Sequence, residues 1–289
     1  MESTRDYDLI FLCFVASALR EDPRSVAARL REKLEELMRL EKLRRGLSEE
    51  WLVFVGMANV AEYNWCPAKA ILVSREEELK FFSSYLYDRV VYSYRLGLTT
   101  GPPKSVEELL SIGDDIRPSH IERLLSEEAR GLSERPARPL APPPQLHGLD
   151  PIERGRALEA HLAERHPTIR WNFAWENYVV VGVPDGITED FVYEFKTTAS
   201  RFLLRYIKPV AFAQADLYGY FFGRRRKRVQ VYIEEENRIE TWDEPVNLAN
   251  ALGTLRLFKE ADETQPPPPT EKWKCKRCKF REKCLARRA

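Results

Sequence analysis

Two β-rich stretches meeting at a tight turn constrain this chain more than anything else in it. Residues 177–187 and 191–197 are dense in β-branched and aromatic side chains, and Thr188-Glu189-Asp190 lies between them. That pattern predicts a hairpin. Helical patterns at 151–165 and 209–222 flank it, followed by strand patterns at 229–233 and 238–242 and a helix at 246–261. The order α-β-β-α-β-β-α predicts a mixed α/β core with helices flanking a sheet.

Proline punctuates the rest. Pro136, Pro139, Pro142, Pro143 and Pro144 mark a stiff connector over 135–150, and a second proline run fills 266–269. The expected division is a mainly helical region 1–150, a core 151–265 and a basic, cysteine-rich segment 266–289. In the first region, 24–45 has the three-and-four spacing of an amphipathic helix, 51–57 is apolar, and Pro67 suits the first turn of a helix. Residues 76–134 read as polar helix. The apolar run 9–19 is too short to span a bilayer, and the acidic leader before it is unlike a secretory signal. A soluble, cytoplasmic protein without a membrane partner is the expectation.

The chemistry concentrates in Gly182-Val-Pro-Asp185-Gly186 and Glu194-Phe-Lys196. Glu194 and Lys196 are two apart in a strand, so they project from one face. Asp185 ends the neighbouring strand. Two carboxylates and a lysine at one end of a hairpin suit metal-assisted phosphodiester hydrolysis. Hard oxygen ligands hold Mg²⁺ or Mn²⁺, the metal activates water, and the lysine stabilises developing charge. His161, in the preceding helix, is a candidate imidazole ligand. Gln214 and Tyr218 share one helix face at i and i+4. The net charge of +1, from 46 basic and 45 acidic residues, predicts no nucleic-acid binding, so that case must be local. Arg224, Arg225, Arg226, Lys227 and Arg228 are the first candidate DNA contact.

Cys275-x2-Cys278-x5-Cys284 is the second strong signal, with Cys66 the natural fourth thiolate. Five cysteines in 289 residues, three of them within ten positions, suit metal binding in a reducing compartment. The spacing is open to an iron–sulfur cluster or a zinc ion. Residues 272–289 carry nine cations and one anion, a second candidate DNA-contact patch. Cys13 reads as a buried apolar residue.

Taken together, Tyr63-Asn-Trp-Cys66-Pro-Ala-Lys, His161, Gly182-Val-Pro-Asp185-Gly, Glu194-Phe-Lys196-Thr, Gln214-x3-Tyr218 and the terminal cysteines resemble the RecB-like nucleases of the PD-(D/E)XK superfamily. More narrowly they resemble the CRISPR-associated iron–sulfur exonucleases of the spacer-adaptation module, in a long archaeal form. The resemblance implies that Asp185, Glu194, His161 and the Phe195 backbone carbonyl bind the catalytic Mg²⁺ or Mn²⁺. It implies that Lys196 is catalytic, that Gln214 and Tyr218 complete the site, and that the four cysteines carry a cluster, usually 4Fe–4S. The implied activity is cleavage of single-stranded DNA ends that supplies CRISPR spacers, with CRISPR integrase proteins as partners and a homo-oligomer allowed. A RecB-like repair nuclease outside CRISPR, or a DNA-binding scaffold with a weak site, are the alternatives.

Overall fold

The computed structural model describes residues 23–45, 52–134, 148–264, 271–276 and 278–286. The apolar run 9–19 with Cys13, the connector residues 135–147 and the prolines 266–269 lie outside them.

In chain order, the helical region comprises α1 (Pro23–Arg44), β1 (Val53–Gly56), α2 (Met57–Ala61), α3 (Pro67–Arg95), α4 (Val106–Ser111) and α5 (Pro118–Glu134). Next come α6 (Pro151–Leu162), β2 (Trp171–Trp175), β3 (Tyr178–Gly182), β4 (Gly186–Ile187), β5 (Phe191–Thr198), α7 (Arg201–Phe222), β6 (Arg226–Ile233), β7 (Arg238–Pro245) and α8 (Leu248–Glu263). Two short helices, α9 (Lys272–Lys276) and α10 (Arg281–Ala286), close the chain.

The strands form two sheets. The first has the order β1-β3-β2, and the second β4-β5-β6-β7. In the first, β3 is central and all five of its residues are buried. Tyr178 and Val180 pack with Val53 and Val55 toward Leu217 of α7 and Phe258 of α8, while Val179, Val181 and Phe54 pack toward Phe82 and Tyr85 of α3. A strand covered on both faces is apolar throughout, which explains the unbroken valine run. In the second sheet, β5 and β6 run parallel and α7 is their crossover. Val229, Val231 and Ile233 meet Leu204, Ala211 and Ala215 of that helix.

The hairpin forms as expected, with Gly186 opposite Tyr193 and Ile187 opposite Val192. The stretch 177–187, however, is two strands in two sheets. Pro184 has no N–H for a ladder, and Val183-Pro184-Asp185 carries the chain from one sheet to the other. The helix expected from Pro209 begins at Arg201 and takes the proline into its interior. Ser200 caps its start by accepting the Leu203 N–H, and Gly223 ends it at φ 67°. β1 comes from the region read as a separate N-terminal unit, yet it pairs in parallel with β3, Val53 opposite Tyr178. The first 150 residues therefore contribute a strand to the core itself. No described helix is long and apolar enough to cross a membrane.

Candidate functional site

The site is built where the chain changes sheets. Each residue of the crossing is pinned. The Tyr218 hydroxyl donates to the Val183 carbonyl at 3.0 Å, and Thr168 donates to the Pro184 carbonyl at 2.5 Å. Asp185 Oδ2 accepts the Phe195 N–H at 2.7 Å. Extending the β4–β5 register by one residue sets Asp185 across from Glu194. Gln214 in turn donates to Tyr218 at 2.9 Å. Gly182 lets this corner close, because a Cβ there would stand 2.4 Å from the Met57 sulfur and 3.1 Å from the Tyr218 ring.

Glu194 is fully buried, and Lys196 is the partner of its carboxylate among the described residues. Lys196, projecting from the same face of β5, forms an ion pair with it and keeps 31% of its side chain exposed. Burial pushes the Glu194 carboxyl up to about 8, with Asp185 and Glu159 adding to the rise and Lys196 opposing it. Burial also raises Asp185, against the pull of Lys196 and the Phe195 N–H. Burial opposes the charge on Lys196, but Glu194, Asp185 and Glu159 outweigh it and hold the ammonium above its ordinary range. The Tyr218 hydroxyl is raised well above its ordinary value, by burial first and then by Glu194 and Asp185.

The sequence reading missed Glu159. This α6 carboxyl is raised to about 7, by burial first and then by Asp185. His161 is two residues further along the same helix, roughly 200° around it. No hydrogen bond or ion pair joins His161 to Asp185, Glu194 or Lys196 among the described residues. Gly155 lies one turn before Glu159, and a Cβ at Gly155 would stand 3.2 Å from Thr197 Oγ1, on the face of β5 opposite Glu194 and Lys196.

Gln214 and Tyr218 thus reach the site by holding its backbone, and no hydrogen bond joins either to Lys196. The basic run is divided. Arg224 pairs with Glu122 at 2.7 Å, and Arg228 pairs with Glu164 at 3.0 Å and Asp243 at 2.8 Å. Lys227 is 3% exposed and reaches Asp216 Oδ1 at 2.6 Å. Only Arg225 and Arg226 of the five stand exposed. The tertiary fold spends three of these cations on its own carboxylates.

The cysteines come together from both ends of the chain. Cys66 is buried at the N-cap of α3, and Cys275, Cys278 and Cys284 are half-buried. Burial pushes the Cys66 thiol up, the Lys69 N–H works against it, and the nearby Cys275, Cys278 and Cys284 add to the rise. Lys274 anchors the terminal segment, donating to the Trp65 carbonyl at 3.0 Å. Among the described residues, no group of three or more His, Cys, Asp or Glu is arranged to hold a metal ion.

No family model and no curated protein matches the chain. A solved structure described as "Crystal structure of SSO0001" is similar over 87% of this chain and 96% of its own, at 17% identity and a TM-score of 0.38. A likeness of that size carries no argument about fold or function.

Proposed function

We propose that this protein is a Mg²⁺- or Mn²⁺-dependent deoxyribonuclease that hydrolyses phosphodiester bonds at single-stranded DNA ends. One observation carries the reading: Glu194 is fully buried with Lys196 as its partner, beside Asp185 and Glu159. Gathering three carboxyls around one ammonium away from water is costly, and their protons are held on as a result. A hard divalent cation satisfies such oxygens. Asp185, Glu194 and Glu159 are the side chains that would hold the ion. The Phe195 carbonyl is a further oxygen that the family resemblance brings. We assign the α6 contribution to Glu159 in place of His161.

When bound, the metal supplies an activated water and a Lewis acid for the phosphate. The protein's own part is preorganisation. The Phe195 N–H fixes one Asp185 oxygen. Tyr218 and Gln214 hold the crossing backbone so that Asp185 stays opposite Glu194. Lys196, charged and partly exposed, stands where a phosphate oxygen would gain negative charge. We further infer that Cys66, Cys275, Cys278 and Cys284 bind an iron–sulfur cluster, 4Fe–4S by resemblance, that ties the terminal segment to α3. Four thiols converging from distant parts of the sequence are the donor set such a cluster takes. The family resemblance places the activity in CRISPR spacer acquisition, beside integrase proteins.

The test is digestion of end-labelled single-stranded DNA with Mn²⁺ or Mg²⁺ by anaerobically purified wild type and Glu194→Ala. Metal-dependent cleavage lost in the variant supports the assignment. Cleavage that persists in Glu194→Ala, or a wild type that is inert while carrying its iron, overturns it.

A further inference from the structure

The start of α7 and the cysteine-rich segment share an aromatic cluster for which the hydrolytic centre has no use. Trp273 meets Trp65, Phe202 and Tyr206, with ring centroids 5.7, 6.0 and 5.2 Å away. Phe202 is 52% exposed. Arg205 is also exposed and lies flat against this surface, its guanidinium 4.2 Å from the Phe202 centroid and 4.7 Å from that of Tyr206. One turn on, Lys208 stands 4.3 Å over Trp242 and 4.9 Å over Phe212.

Three of the five cations at 224–228 are neutralised by carboxylates. Arg205 and Lys208 are different: no carboxylate among the described residues pairs with either. Lys272, Lys276 and Arg281, near Trp273 in the chain, are exposed and likewise have no ion pair among the described residues. Structural packing of the terminal segment accounts for Trp65, Trp273 and the enclosed Lys274. It does not account for a half-exposed phenylalanine faced by an unpaired, stacked arginine.

We propose that Phe202, Tyr206, Trp273 and Arg205 form a stacking platform for unpaired bases of a single-stranded nucleic acid, with Lys208 and the terminal lysines following its phosphates. Aromatic faces and a stacked guanidinium accept any base, and backbone charge supplies the rest of the affinity. The platform lies on the helix that carries Gln214 and Tyr218. Twelve residues of α7, about 18 Å of helix, separate Phe202 from Gln214. A strand held on the platform would thus run along α7 toward Lys196. This extends the nuclease reading by giving its substrate a path, and rests on it only for the substrate class.

Binding is read by fluorescence anisotropy in EDTA, with labelled oligothymidylate and oligouridylate as probes. The variants are Phe202→Ala with Arg205→Ala, the exposed single change Arg205→Glu, and the distant exposed Lys104→Ala. The platform predicts affinity weaker by on the order of tenfold in the first two and undiminished in Lys104→Ala. It also predicts that oligothymidylate quenches tryptophan fluorescence. Comparable affinity for the two polymers supports stacking that ignores the sugar, and a preference for either supports the platform while naming its source. Wild-type affinity in Arg205→Glu overturns the platform whatever the cleavage assay shows. Lost binding in that variant alongside an inert wild type overturns the nuclease reading and leaves the platform standing.

Discussion

Asp185 raises the Glu159 carboxyl of α6, at the point where the chain crosses between its two sheets. That relationship, with Glu194, sets three acids around Lys196. It also separates two neighbours on one helix. Glu159→Ala should lower metal-dependent cleavage by on the order of 10–100-fold, the usual effect of losing a group that orders a metal site. His161→Ala should stay near wild type. Parallel rate measurements check this, and the reverse ranking would restore the histidine.

The same cluster makes stability depend on pH. Glu159 and Glu194 titrate at about 7 and about 8, and Asp185 is raised too, so each binds its proton more tightly folded than unfolded. Stability from these protons is complete below the ordinary carboxylate range and is lost as pH rises through the raised values. In EDTA, the thermal midpoint should therefore fall by several degrees from about pH 5 to about pH 8.5. Glu194→Gln should flatten the decline, and saturating Mn²⁺ should offset it. A midpoint that climbs over this range contradicts the account.

Asp216 and Lys227 form the most deeply buried ion pair among the described residues, with 0% and 3% of their side chains exposed. The Asn247 N–H at 2.8 Å and Asn250 Nδ2 at 2.7 Å complete the acceptor sites of Asp216. Asp216→Ala strands the ammonium and should cost about 3–5 kcal/mol. A drop in thermal midpoint of roughly 10 °C is the corresponding readout. The loss should appear with or without metal, since this pair lies outside the carboxylate cluster.

Cys278→Ala should lose bound iron and much thermal stability, because metal binding and folding are coupled where ligands come from distant segments. Iron analysis and a melting curve on anaerobically prepared protein read both effects. Unchanged iron would falsify the cluster assignment.

Local pattern was enough for several features. Alternation in 191–197 and the turn at 188–190 led to the hairpin, and strand periodicity put Glu194 and Lys196 on one face. Pro67 marked a helix start. All of these rest on neighbours within a few positions, where geometry follows from the backbone period alone. Tertiary structure decided the rest. The split of 177–187 into two sheets depends on which strands lie beside it, and β1 arrives from far upstream. Lys227 became a core residue because Asp216 waits across from it on α7, an encounter that charge counting along the chain does not show. Glu159 enters the cluster because the fold lays α6 beside Asp185, an approach between distant segments that no pattern within the helix shows.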